Sequence, residues 1–204
     1  MFIPNSFKFE NREGMIAFMK RYSFATMVTA KNNVPVATQL PFVVEEREGK
    51  LVLSSHFAAV NEQAKDIEQY TSLVIFSEPH AYISPTHYDK QESVPTWDYI
   101  AVHAYGRAKI FQNEDPKMEV LEKMIRLYEA GYMEQWNSLS DKFKKGMMRG
   151  ILAFELDVVD LQGQKKLSQN KSAVERERIV EHLEKGDNTT EKGIAEYIKL
   201  LEDK

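Results

Sequence analysis

Cysteine is absent from all 204 residues, which excludes a disulfide framework and any thiolate-ligated metal and permits a reducing compartment. Long apolar runs are missing too: none exceeds strand length, and Met1-Phe2-Ile3-Pro4 lacks the charged head and apolar body of a secretion signal. A cytoplasmic protein with no membrane partner is therefore expected. Nor is there an excess of positive charge. Twenty-seven Lys and Arg against 31 Asp and Glu leave a net charge of -4, too little for surface-wide attraction to nucleic acid, so DNA contact would need a local patch or a partner protein. No H-E-x-x-H pair, G-x-S-x-G elbow or G-x-G-x-x-G fingerprint occurs, and there is no internal repeat or low-complexity segment.

What is present concentrates in Pro79 to Gly106, which holds three of the five histidines, three of the seven prolines and one of the two tryptophans. Its aromatic and β-branched residues favour strands, while Ser84-Pro85-Thr86 and Val94-Pro95-Thr96 force the backbone out of regular structure, so polar tips are displayed on a loop between two strands.

Elsewhere the pattern alternates strands with short turns. A helix capped by Asn11 carries Met15, Phe18, Met19 and Tyr22 on one face. Strands follow at Phe24 to Thr29 and, after an Asn32-Asn33 turn, at Val34 to Val44 with an interruption at Pro41. Lys50 to Ser54 and Ser72 to Phe76 are strands flanking a short helix at Asn61 to Tyr70, and Ala81 to Ile83 and Tyr99 to Phe111 add two more. Asp115-Pro116 starts an inserted helical stretch over 115–145, with one stripe at Met118, Leu121, Ile125 and Tyr128 and a second at Met133, Trp136, Leu139 and Phe143. In the last strand Leu152, Phe154, Leu156 and Val158 point one way, and Ala153, Glu155 and Asp157 make a wet face. Ser172 with Glu175 forms a capping box, and Asn188 opens a final helix. The expectation is a mainly β chain: an antiparallel, six- to seven-stranded split barrel with N-terminal, inserted and C-terminal helices, organised as a barrel domain over 1–163 and a helical appendage over 164–204.

The chemistry narrows as follows. His80, His87, His103 and Asp98 lack metal-ligand spacing and read as hydrogen-bonding loop residues, so no metal is expected. Ser84, His103 and Asp98 lack a nucleophile elbow and read as scaffold, so no catalytic residue is assigned and an enzyme is the less favoured reading. A flavin wants flat apolar walls, donors at its polar edge, and hydroxyls and cations at its phosphate. Tyr82, Trp97 and Tyr99 can supply walls, Thr38, Gln39, Ser54, Ser55 and Asn61 donors, and the run Lys165 to Lys171, including Lys166, Gln169 and Asn170, cations and amides. Core packing for Trp97 and Tyr99, and a solvated loop for Lys165-Lys166, stand open beside that reading.

The phrases F-A-T-M-V-T (Phe24 to Thr29), V-A-T-Q-L-P-F (Val36 to Phe42), P-H-A-Y-I-S-P-T-H-Y (Pro79 to Tyr88), V-P-T-W-D-Y-I-A-V-H-A-Y-G (Val94 to Gly106) and K-L-S-Q-N-K-S (Lys166 to Ser172) resemble, in order and spacing, the PaiB family. The resemblance implies an FMN-binding split barrel, the fold of pyridoxamine phosphate oxidases, forming a homodimer with flavin at the subunit interface. It also implies a negative transcriptional regulator that represses protease production and sporulation. The alternative on the same fold is a flavin-dependent oxidoreductase or a haem-handling enzyme. On this resemblance His56 and His103 join the cofactor-binding set. Three positions depart from the family pattern: Ala59 replaces an arginine suited to the flavin phosphate, His87 replaces a tryptophan, and Asp98 stands where asparagine is usual. The first two are expected to weaken FMN binding.

Overall fold

The computed structural model describes residues 1–201. Seven strands form one sheet: β1 (Phe24–Lys31), β2 (Val34–Pro41), β3 (Val43–Arg47), β4 (Lys50–Ala58), β5 (Ser72–Ile83), β6 (Thr96–Ile110) and β7 (Ile151–Lys166), in the order β2-β1-β5-β6-β7-β4-β3. Six α-helices accompany them: α1 (Arg12–Arg21), α2 (Glu114–Glu129), α3 (Tyr132–Ser138), α4 (Asp141–Met148), α5 (Ala173–Lys185) and α6 (Thr189–Lys199). This is the antiparallel split barrel with initial, inserted and terminal helices that the pattern implies.

Two tight hairpins fix the register. Asn32 and Asn33 adopt φ of 51° and 63°, the left-handed pair a two-residue turn demands, and Lys31 then faces Val34. Glu48 and Gly49, with φ of 51° and 77°, do the same between β3 and β4, so that Arg47 faces Lys50. β2 and β3 stand at opposite ends of the sheet order, yet only Phe42 separates them in sequence.

The chain forms two compact units, and β5, β6 and β7 contribute to both. One gathers Met1–Met15, Ser77–Val102 and the described residues from Gln162 onward; the other gathers Ile16–Phe76 and His103–Leu161. The second unit has an aromatic core. Phe42, Phe57, Phe76 and Phe154 are fully buried, with Phe57 stacked on Phe154 at 5.1 Å and Phe42 meeting Phe76 at 5.9 Å. Burying each such ring contributes about 2 kcal/mol. Gly106 on β6 is required by close approach: a Cβ there would lie 2.2 Å from the Asp157 carbonyl oxygen of β7. The first unit buries Ile83, Ile100, Leu167, Ile179, Leu183, Ile194 and Ile198.

Several elements differ from the sequence expectation. The strands expected at 72–76 and 81–83 are one strand, because the sheet tolerates Pro79 within it. The expected strand 34–44 is two, β2 and β3, broken at Phe42. The helix expected at 61–70 shortens to a 3-10 helix at Glu62–Lys65 whose N-cap Asn61 accepts from Gln63 N. The single stripe from Met133 to Phe143 is split between α3 and α4. Ser140 caps α4 by accepting from Phe143 N, and Phe143 itself is exposed. Finally, the face of β7 expected to be wet is covered at Ala153, which packs with Val43, Val120 and Met124 beneath α2.

Candidate functional site

In the second unit, β2 and the turn at Asn61 bring together a closed hydrogen-bond network. Thr38 Oγ1 donates to Gln63 Oε1 at 2.6 Å, Asn61 Nδ2 donates to Thr38 Oγ1 at 3.0 Å, and Gln63 N donates to Asn61 Oδ1 at 2.9 Å. Gln63 Nε2 reaches the Met27 carbonyl at 3.0 Å and Thr29 Oγ1 at 3.2 Å, and Thr29 shares a 2.9 Å bond with Ser72. Gln63 is buried and central, yet sequence reasoning missed it; the signal was its place two residues after a capping asparagine.

The hydroxyls of β4 are likewise spent inside the protein. Ser55 Oγ donates to the Pro41 carbonyl at 2.7 Å, and Ser54 Oγ donates to Glu155 Oε1 at 3.3 Å, a carboxylate that Arg47 Nη2 also holds at 2.5 Å. Gln39 on β2 is exposed.

Two histidines differ from this pattern. His56 Nδ1 and His103 Nδ1 are buried and have no hydrogen-bond partner, and burial holds both imidazoles below their usual pKa, which favours the neutral ring. His56 also lines an open cleft of about 440 Å³ with Pro41, facing Leu121, Met124, Ile125 and Tyr128 of α2, and Glu129 is the charged side chain of that lining. The ring of His103 meets Tyr105 edge-on at 6.4 Å.

In the first unit, Trp97 is 53% exposed, so the core-packing reading of this residue does not hold. Tyr82 meets it edge-on at 5.9 Å and His80 lies 5.9 Å away, making an exposed aromatic platform on β5 and β6. Lys166 is not a free cation: its Nζ donates to the Trp97 carbonyl at 2.8 Å and to Thr96 Oγ1. Gln169 is folded onto its own loop, accepting from Leu167 N at 2.7 Å and donating to the Lys165 carbonyl. Asn170 is exposed.

Beneath that platform Asp98 is fully buried. One oxygen accepts from Ser168 Oγ at 2.7 Å, while Oδ1 has no partner. Burial pushes the carboxyl up to about 6, against the opposing pull of the Ser168 bond and of Lys166. Ser168 holds a left-handed φ of 57° to make this contact. Among the described residues no group of three or more His, Asp and Glu side chains is arranged to hold a metal.

The donor set can be tested against a flavin on these observations. The exposed indole–phenol platform of the first unit and, separately, the apolar cleft wall and two unpartnered imidazole nitrogens of the second are each suited to a planar heteroaromatic ring. The phosphate finds less: Thr38, Ser54, Ser55 and Asn61 are satisfied internally, position 59 is alanine, and the charged side chain lining the cleft is the carboxylate Glu129. The residues fit the ring end of FMN better than its phosphate.

Comparison with known proteins agrees with this chemistry. Residues 1–160 match the family described as "Putative FMN-binding domain". The chain is 37% identical over 207 residues to the Bacillus subtilis (strain 168) protein named Protease synthase and sporulation protein PAI 2, an alignment covering 100% of this chain and 98% of that one. Among solved structures, the flavocytochrome Anf3 from Azotobacter vinelandii superposes with a TM-score of 0.63 at 17% identity, over 79% of this chain and 70% of that one. The FAD and heme binding protein from Mycobacterium smegmatis gives 0.61 at 14% identity, over 78% and 73%. At such identities the likeness to these two structures is one of fold. The match over residues 1–160, joined to an end-to-end alignment with PAI 2, places this chain in the FMN-binding-domain family.

Proposed function

We propose that this protein is a flavin-binding regulator of the PAI 2 kind, acting in the cytoplasm as a homodimer that represses protease-production and sporulation genes. The end-to-end 37% identity to PAI 2 is the observation that carries this reading. In this proposal residues 1–163 form the barrel domain and the described residues from 164 onward, Asn170 among them, a helical appendage; residues 202–204 of that expected appendage lie outside the described residues. Bound FMN would supply a two-electron redox centre. The chain's own part in the second unit is to offer the cleft wall beside His56 to a ring, with Thr38, Asn61 and Gln63 held in their closed hydrogen-bond network; in the first unit the exposed Trp97–Tyr82 pair offers an aromatic face of its own. Gln39 and Asn170 are the exposed amides in the set, free to reach a ligand's polar edge.

Contact with DNA is assigned to a partner protein or a small local patch. Of the basic residues around α4, Lys145 is paired with Glu114 at 3.0 Å and Lys144 lies over the Trp136 ring at 5.4 Å, which leaves a weak phosphate footprint. The test of the reading is a visible absorption spectrum of the purified protein before and after adding FMN, run with size-exclusion chromatography. A flavin band co-eluting with a dimer is the expected result. No bound flavin at high excess overturns the flavin part of the proposal, and rapid NADH- or NADPH-driven turnover of an acceptor overturns the regulator part.

A further inference from the structure

The loop after β5 is docked on α5 and the residues just before it by contacts of two kinds. Four are attractive at any neutral pH. Asp89 N donates to Glu175 Oε1 at 3.0 Å; Arg178 pairs with Asp89 Oδ1 at 2.6 Å and donates to the His87 carbonyl at 3.3 Å; and Lys171 Nζ lies 3.5 Å from the centre of the Tyr88 ring. The fifth is a contact of like with like: the rings of His87 and His182 lie 4.8 Å apart at a tilt of 46°. Two neutral imidazoles at that distance pack favourably, whereas two imidazolium ions there repel.

His182 is exposed and His87 half-buried, so the contact stands at the protein surface. The charges that act on His87 are those of His182 and Arg178, and both disfavour a proton on it. Of the nearby carboxylates, Asp89 is engaged by Arg178, and Glu175 is held by the backbone N–H groups of Ser172 and Asp89. We propose that the His87–His182 contact is a proton-operated clasp: neutral, it seats α5 on residues 84–89; protonated, it frees that loop from the helix.

The direction in pH follows from burial, His182 and Arg178, which lower the His87 pKa below 6.5 in the docked state. An undocked ring takes its proton at higher pH than a docked one. Docking is therefore complete above that value and weakens as pH falls below it.

Amide hydrogen exchange on the full chain, corrected for the intrinsic pH dependence, tests this at pH 7.5 and 5.5. In the wild type, protection over residues 84–89 and the first two turns of α5 should fall by up to about tenfold per pH unit for each proton taken up. In His87→Trp, which keeps an aromatic ring at the contact, protection there should not change with pH, and in His182→Gln, where burial and Arg178 still act on His87, it should change less than in the wild type. The proposal is overturned if wild-type protection is the same at both pH values, or if both variants lose it as the wild type does. It is also overturned if the amides of β3 and β4 lose protection in step, since that would be global acid unfolding.

Discussion

Two buried polar clusters in this molecule are built on opposite terms. Around Gln63, every side-chain oxygen and nitrogen of Thr38, Asn61 and Gln63 that is buried finds a partner inside 3.2 Å, and no charge is involved. Around Asp98, a carboxyl with no exposure is bonded by Ser168 alone, and one of its oxygens has no partner. The first cluster can only stabilise. The second is a neutral-versus-charged choice that solvent pH makes, because a buried carboxylate without a full set of donors disfavours its own ionisation.

That comparison can be broken by mutation. The largest effect is expected for Gln63→Ala, which strips partners from Thr38, Thr29 and the Met27 carbonyl at once: a loss of about 3 kcal/mol in urea unfolding, equal at pH 5 and pH 8. A loss that changes with pH would mean the network is not neutral. Next is Asp98→Asn. With the folded carboxyl raised to about 6 from 3.8, wild-type stability is unaffected below the lower value and declines as pH rises through the upper one. The substitution should therefore gain about 3 kcal/mol at pH 8 and only about 0.5 at pH 4; a gain of the same size at both would sink the idea. Third, Ala59→Arg restores a cation for the phosphate. Titration by flavin fluorescence quenching should show FMN affinity rising about tenfold while riboflavin affinity holds still. The smallest effect is Ser55→Ala, which leaves the Pro41 carbonyl unpaired and should cost about 1 kcal/mol in thermal or urea denaturation with the fold retained.

Much of this architecture could be read along the chain. The Asn32-Asn33 turn, the Ser172–Glu175 capping box and the apolar face of α6 at Ile194 and Ile198 are set by residues close in sequence, and each is found as expected. The merging of two expected strands into β5 was not readable, since Pro79 looks like a terminator until its neighbours in the sheet are known. Likewise the break between α3 and α4 depended on whether Ser140 would cap a new helix or sit within one long stripe. The candidate site divides in the same way. The residue types were legible, and Trp97 and Tyr82 do stand exposed; that Ser54, Ser55, Thr38 and Lys166 are already engaged inside the protein depends on Glu155, Pro41, Gln63 and Thr96, all distant in the chain.

Sequence by itself therefore determined the strand-and-helix composition, the hairpin registers and the family, because turn chemistry, capping and alternation act over a few residues and long motifs need no coordinates. Tertiary structure alone decided which polar groups remain free. A hydroxyl or imidazole reads the same in a sequence whether or not a partner waits 70 residues away, and at Asp98 that distant partner, Ser168, together with burial, sets the balance between a neutral acid and a buried charge.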